Sequence, residues 1–185
     1  MLPRLSPNQR LAYRQMIEET LSNKGDIEFL TSGSSMRYML TDGDTVVVRG
    51  CQMADFHFGD VVLLKNRKQE NRIYIVHRII GISTANGKVH LATKGDSSPK
   101  DYFSFDTEAC LGKVITFSHG GQKYSLQRNI WFVLNPVIAL MSRWVSRFSE
   151  QAARRGKKKQ VLAQRVLHSL IKRLLKLGMF LSRDN

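Results

Sequence analysis

The sequence predicts a mainly β core inside a chain that is α+β overall. Three observations carry this: helical spacing before Gly25, short β-branched runs broken by Gly and Asp from Glu28 to about Ser125, and a return to helical spacing beyond it. With 185 residues, 42% of them hydrophobic, the chain can bury one good core but has little length for a second full domain. The expected division is an N-terminal amphipathic helix over residues 1–27, a β domain over 28–125 and a basic helical tail over 126–185.

The first helix has a start signal and a stop signal. Ser6-Pro7-Asn8-Gln9 offers an N-cap serine, proline at the first helical position and a glutamine three residues after the cap. Tyr13, Met16, Ile17 and Leu21 then repeat on one face, and Gly25 ends the pattern. Next come five runs that read as strands: Thr45 to Arg49, Asp60 to Lys65, Arg72 to Ile82, Lys88 to Thr93 and Gly112 to Phe117. Turn pairs such as Asp42-Gly43 and Asn86-Gly87 punctuate them. Both alternating faces of Arg72 to Ile82 are largely apolar, so that strand is expected to be covered on both sides, with His77 on the face of Ile73, Ile75 and Ile79.

After Ser125 the apolar stretch Ile130 to Met141 is interrupted by Asn135-Pro136 and reads as a packed or interfacial segment. Arg154 to Lys159 reads as a solvated basic linker, and Val161 to Leu181 as a last amphipathic helix. No run reaches the roughly 18 apolar residues of a membrane span, and the N-terminus lacks the apolar region of a secretory signal. No transmembrane anchor is therefore expected.

Charge is distributed unevenly. Lys and Arg number 29 against 15 Asp and Glu, a formal +14. Residues 1–125 hold 16 basic and 13 acidic side chains, whereas residues 126–185 hold 13 basic and two acidic. A nearly neutral body with a cationic, amphipathic tail points to an anionic membrane surface as the tail's partner, and no nucleic acid is expected. Peripheral attachment at the cytoplasmic face is the corresponding expectation. In the tail Leu162, Val166, Leu167, Leu170, Ile171, Leu174 and Leu175 recur at helical spacing, with Arg165, Lys172, Arg173 and Lys176 between them. The alternative is that this stripe packs on the β core or on a second subunit. On the membrane reading, a chain ended after Ser149 keeps its activity on a soluble peptide.

Cys51 and Cys110 are too few for a disulfide scaffold and have no metal-site spacing, so idle thiols, no metal and no cofactor are expected. Taken singly, Ser35 in a Gly/Ser-rich loop reads as turn chemistry and His77 as a core histidine. Three segments taken together read differently. Ser32-Gly33-Ser34-Ser35-Met36-Arg37-Tyr38-Met39-Leu40-Thr41-Asp42-Gly43-Asp44 resembles the nucleophile box of the signal peptidase I family, with Ser35 at the nucleophile position. Val76-His77-Arg78-Ile79-Ile80-Gly81 is similar to the second box of the branch that uses histidine as base, and Thr93-Lys94-Gly95-Asp96-Ser97-Ser98-Pro99-Lys100-Asp101 to the third.

The resemblance implies a signal-peptidase or LexA-like β fold and a serine endopeptidase. Ser35 would be the nucleophile and His77 its general base, with an aspartate, Asp101 first and Asp96 second, orienting the imidazole. It also implies an oxyanion hole built on the Ser35 backbone N–H. Many relatives add a hydroxyl two residues earlier; that position is Gly33 here, which leaves Ser34 or Ser32 to substitute. Met36 and Tyr38 belong to the implied substrate cleft, and Tyr38 stands where the family has proline. The implied substrate is a protein or peptide carrying a leader segment. The rival readings are a LexA-type self-cleaving module, against which a single preceding helix and a histidine base both speak, and an idle binding protein. His57, His90, His119 and His168 fit no box and are expected to be structural or solvated.

Overall fold

A computed structural model describes residues 6–66, 74–98, 102–155 and 158–183. Helix α1 spans Pro7–Ser22 and begins at the expected cap: the Ser6 hydroxyl accepts from the Gln9 N–H at 3.3 Å, and Gln9 Oε1 accepts from the Ser6 N–H at 2.9 Å. Each bond satisfies a donor that the first turn of a helix otherwise leaves open. Ile17 and Leu21 from its apolar face are buried in the core, whereas Met16 is half exposed.

Eight strands follow among the described residues. They are β1 (Asp26–Leu30), β2 (Thr45–Gly50), β3 (Val61–Lys65), β4 (Tyr74–Ala85), β5 (Lys88–Lys94), β6 (Tyr102–Asp106), β7 (Cys110–His119) and β8 (Gln122–Ser125). They form one antiparallel sheet in the order β1-β2-β7-β3-β4-β5-β6, with β8 pairing β7 off this path. All five expected strands are present within a few residues at their ends. β1, β6 and β8 were not foreseen. Each has only four or five residues, and the Asp and Glu of β1 and the Gln and Lys of β8 weaken the strand signature.

The chain ends in two long helices, α2 (Asn129–Arg155) and α3 (Lys158–Ser182), packed against each other as a hairpin. Because they run to 27 and 25 residues, helices outweigh strands and the fold is α+β rather than mainly β. Asn135-Pro136 does not interrupt α2, which continues through Pro136. Within the expected basic linker, Arg154 and Arg155 close α2 and Lys158 and Lys159 open α3, while residues 156 and 157 lie outside the described residues.

One core cluster lies between the sheet and the three helices. It joins Ile17 and Leu21 of α1, Val46, Val48, Val61 and Leu63 of the sheet, Trp131 and Ile138 of α2, and Ile171 and Leu175 of α3. A second, smaller cluster unites Phe56, Val62, Leu64, Ile79, Leu91 and Cys110. Tyr74 and Val76 pack against the first cluster, while Ile79 belongs to the second and Ile75 packs against it, so β4 is covered on both faces as its sequence predicts. The expected membrane stripe of α3 is divided: Ile171 and Leu175 are fully buried, while Leu162, Val166 and Leu170 are exposed. Close helix contact explains the division. A Cβ on Gly178 would stand 2.6 Å from Trp131 and 2.9 Å from Leu134, so glycine there lets α3 settle onto α2. No helix among the described residues is long and apolar enough to cross a membrane.

Candidate active site

The three boxes, far apart in sequence, meet at one place. The loop from Thr31 to Asp44 leaves β1 and returns to β2, and its two ends are tied: the Thr31 N–H donates to the Asp44 carbonyl at 2.7 Å and the Gly43 N–H to the Thr31 carbonyl at 3.0 Å. Gly33 and Gly43 take φ of +101° and +86°, a region open to glycine and costly for most other residues. Met36, Met39 and Leu40 are buried in the main core and anchor the far side of the loop. Ser35, immediately before Met36, is thereby held at the surface of the core while remaining partly accessible.

His77 reaches it from β4. Its Nε2 lies 3.2 Å from Ser35 Oγ, within hydrogen-bonding reach, and the histidine is 2% exposed. That distance is the one a base needs to take the hydroxyl proton. The third box supplies the floor. The Ser97 N–H donates to the Ser35 carbonyl at 2.9 Å, and the Ser97 hydroxyl donates to the Ser34 carbonyl at 2.5 Å and accepts from the Arg37 N–H at 3.2 Å. Gly95 lies directly against the nucleophile: a Cβ there would stand 2.5 Å from the Ser35 carbonyl oxygen and 2.6 Å from its Cβ. Compared with known proteins, the chain matches no family model, no curated protein and no solved structure.

Asp96 is engaged by Arg78, the neighbour of His77 on β4. It is fully buried, and its two oxygens accept from Arg78 Nε at 2.9 Å and Nη2 at 2.8 Å. The bidentate pair suits a fixed guanidinium fork and compensates two charges removed from water. Arg78 Nη1 also donates to the Gly59 carbonyl at 2.8 Å and to Asn135 Oδ1 at 2.6 Å, which brings α2 into the network beside His77. Asp101, the first choice for the orienting carboxylate, lies outside the described residues.

Of the expected cleft residues, Gly33 donates its N–H to Asp42 Oδ1 at 3.0 Å, and Ser34 and Ser32 are exposed. Met36 is 4% exposed and its sulfur lies 3.3 Å from the Asp96 N–H, so it supports the turn from below instead of lining a cleft. Tyr38 packs edge-on against His168 of α3, ring centroids 6.0 Å apart. Through this ring contact the tail helix bears on the turn.

Sequence reading missed three supporting residues. Ser97 follows the Gly-Asp pair but carries no pattern of its own; Asn135 is a polar residue inside an apolar run; and His168 lies among leucines. A polar group inside an apolar helical pattern was the available signal for the last two. Of the remaining histidines, His119 donates from Nδ1 to Asp44 Oδ2 at 2.8 Å, pinning the loop's end to β7. Burial pushes both the Cys110 and Cys51 thiols up, which keeps them protonated and unreactive at neutral pH.

Proposed function

We propose that this chain is a serine endopeptidase resembling signal peptidase I, built on a related β core, which removes a leader segment from a protein or peptide. The observation that carries the reading is the 3.2 Å separation of His77 Nε2 and Ser35 Oγ at the meeting point of the three boxes. Ser35 Oγ attacks the scissile carbonyl as His77 Nε2 takes its proton, and the negative charge that develops on the carbonyl oxygen is met by the Ser35 backbone N–H. His77 then returns the proton to the leaving amine. Water repeats the cycle on the acyl-enzyme and frees Ser35. Asp101 is the carboxylate assigned to orient the imidazole, since Asp96 is engaged by Arg78.

A groove lined by Leu30, Thr31, Ser32, Asp42 and Gly43 runs beside the nucleophile loop, and β1 lies at the edge of the sheet order. An extended peptide laid along this side would bring its backbone toward Ser35. The cationic tail then serves to keep the enzyme at a membrane surface.

The test is cleavage of precursors that accumulate in a deletion strain, with cleavage sites mapped by N-terminal sequencing. Ser35→Ala and His77→Ala are each expected to lower the rate at least about 1,000-fold, and the double variant to be no worse than either. Cleavage by Ser35→Ala at the wild-type rate overturns the assignment.

A further inference from the structure

The hairpin turns a definite face outward, and its rotation can be read from contacts. On α2, Asn135 points toward the sheet, where it meets Arg78, while Trp131 and Leu134 point toward Gly178 of α3. With about 100° per residue, Val133, Val137, Leu140 and Trp144 fall together on the outward side adjoining α3. All four are exposed. Arg143 and Arg147 fall on the opposite, outer flank and are exposed as well.

α3 repeats the arrangement in mirror sense. His168 marks the side toward the sheet through Tyr38, and Gly178 the side toward α2. The same count brings Val166, Leu170 and Leu177 onto the outward side adjoining α2, and all three are exposed. Arg165, Lys172 and Lys176 take the far flank, exposed, with Arg173 at the margin of the strip. The two apolar strips therefore lie side by side along the hairpin's outer surface, with cations along both outside edges.

We propose that this outer face of the α2–α3 hairpin is a bilayer-docking surface, lying in the plane of an anionic membrane with its apolar strips in the acyl boundary and its flanking cations at the headgroups. The inference deepens the membrane reading above and rests on it for the occupant, but it replaces the single stripe of α3, half of which is core, with a face shared by two helices. At 27 and 25 residues the helices give a platform roughly 40 Å long. Exposed Trp and Phe suit it: Trp144 has Arg147 over its ring at 5.5 Å, and Phe180, at the margin of the α3 strip, is 78% exposed.

Charge selects the occupant. A second copy laid face to face would set cationic edges against cationic edges. A nucleic acid asks for cations across the contact, not an oily centre. An anionic bilayer satisfies both the centre and the rim.

The test uses the full chain in flotation with vesicles of phosphatidylcholine and phosphatidylglycerol, beside vesicles of phosphatidylcholine alone. Wild-type protein is expected to float with the anionic vesicles and to be released by high salt. The triple variant Leu140→Ser, Trp144→Ser, Leu177→Ser removes exposed side chains only, and its affinity is expected to fall on the order of 100-fold with its melting temperature unchanged. Lys172→Gln with Lys176→Gln should cost about fivefold per charge and flatten the salt dependence. If wild type ignores anionic vesicles, the membrane reading itself falls, without bearing on Ser35. If wild type binds and the folded triple variant binds equally well, the face is wrong. A wild-type dimer that the triple variant dissolves, with vesicle binding unchanged, assigns the face to self-association and also overturns the proposal. Should the triple variant unfold, brominated phosphatidylglycerol decides. Trp131 is fully buried, so quenching of bound wild-type protein reports Trp144; quenching supports the face, and its absence overturns it.

Discussion

Arg78 and Asp96 form a two-pronged ion pair from which solvent is wholly excluded. Removing one partner of such a pair leaves a buried charge without compensation, at a cost of about 3–5 kcal/mol. Asp96→Asn is therefore expected to lower stability by that order, seen in a denaturant titration. Asp101→Asn is expected to leave the titration unchanged and to slow cleavage by about 100-fold or more. A stable Asp96→Asn protein that has lost cleavage would return the orienting role to Asp96.

Gly95 presses on the nucleophile more closely than any side chain permits. In Gly95→Ala the new methyl group must displace the Ser35 carbonyl or its Cβ, which would stand within 2.6 Å of it. Misplacement by a fraction of an ångström to one ångström costs up to about 100-fold in rate. The expected result is a folded protein with kcat reduced on that scale. An alanine variant with wild-type kcat would mean that Ser35 is not the reacting group or that its turn yields freely.

Ending the chain after Ser149 was expected, from sequence, to spare activity on a soluble peptide. The packing of α3 reverses that expectation. Ile171 and Leu175 are fully buried in the main core, and burying such a side chain is worth about 1.5–3 kcal/mol. Against a total stability of about 5–15 kcal/mol, their loss together with Met179 is decisive. The truncated chain is expected to be insoluble or to lack a cooperative thermal transition; a soluble, active truncation would show that α3 is dispensable to the core.

Burial foremost, then the neighbouring positive charges of Lys94 and Arg37, hold the His168 imidazole below its usual range. The unfolded chain therefore binds this proton at a higher pH than the folded one. The contribution is complete above about pH 6.5, the ordinary value, and is lost as pH falls through it toward the depressed folded value. Urea midpoints should drop between pH 7.5 and 5.5, and His168→Gln should reduce that drop. An identical slope in the variant would assign the pH dependence to other groups.

How much of this was legible from residues depends on how local the cause is. The cap at Ser6 and the long strand around His77 declare themselves in a few neighbouring positions. The pairing of Ser35 with His77 was legible because each sits in a patterned segment. Short polar β1 and β8 gain their order from the strands beside them, which no local pattern records. Continuation of α2 through Pro136 depends on burial of Trp131, Leu134 and Ile138 against α3 and the sheet, which outweighs the helix-breaking tendency of proline. The amphipathic pattern of α3 revealed an oily side, but only Gly178 meeting Trp131 shows which of those residues are core.

The central claim, that Ser35 is a nucleophile activated by His77, is tested most directly by intact-mass analysis after treatment with a serine-reactive phosphonate. One adduct on wild-type protein, mapped to Ser35, absent in Ser35→Ala and strongly slowed in folded His77→Ala, is the predicted result. A folded wild-type protein that takes no adduct at Ser35, or takes it at the same rate without His77, would contradict the account.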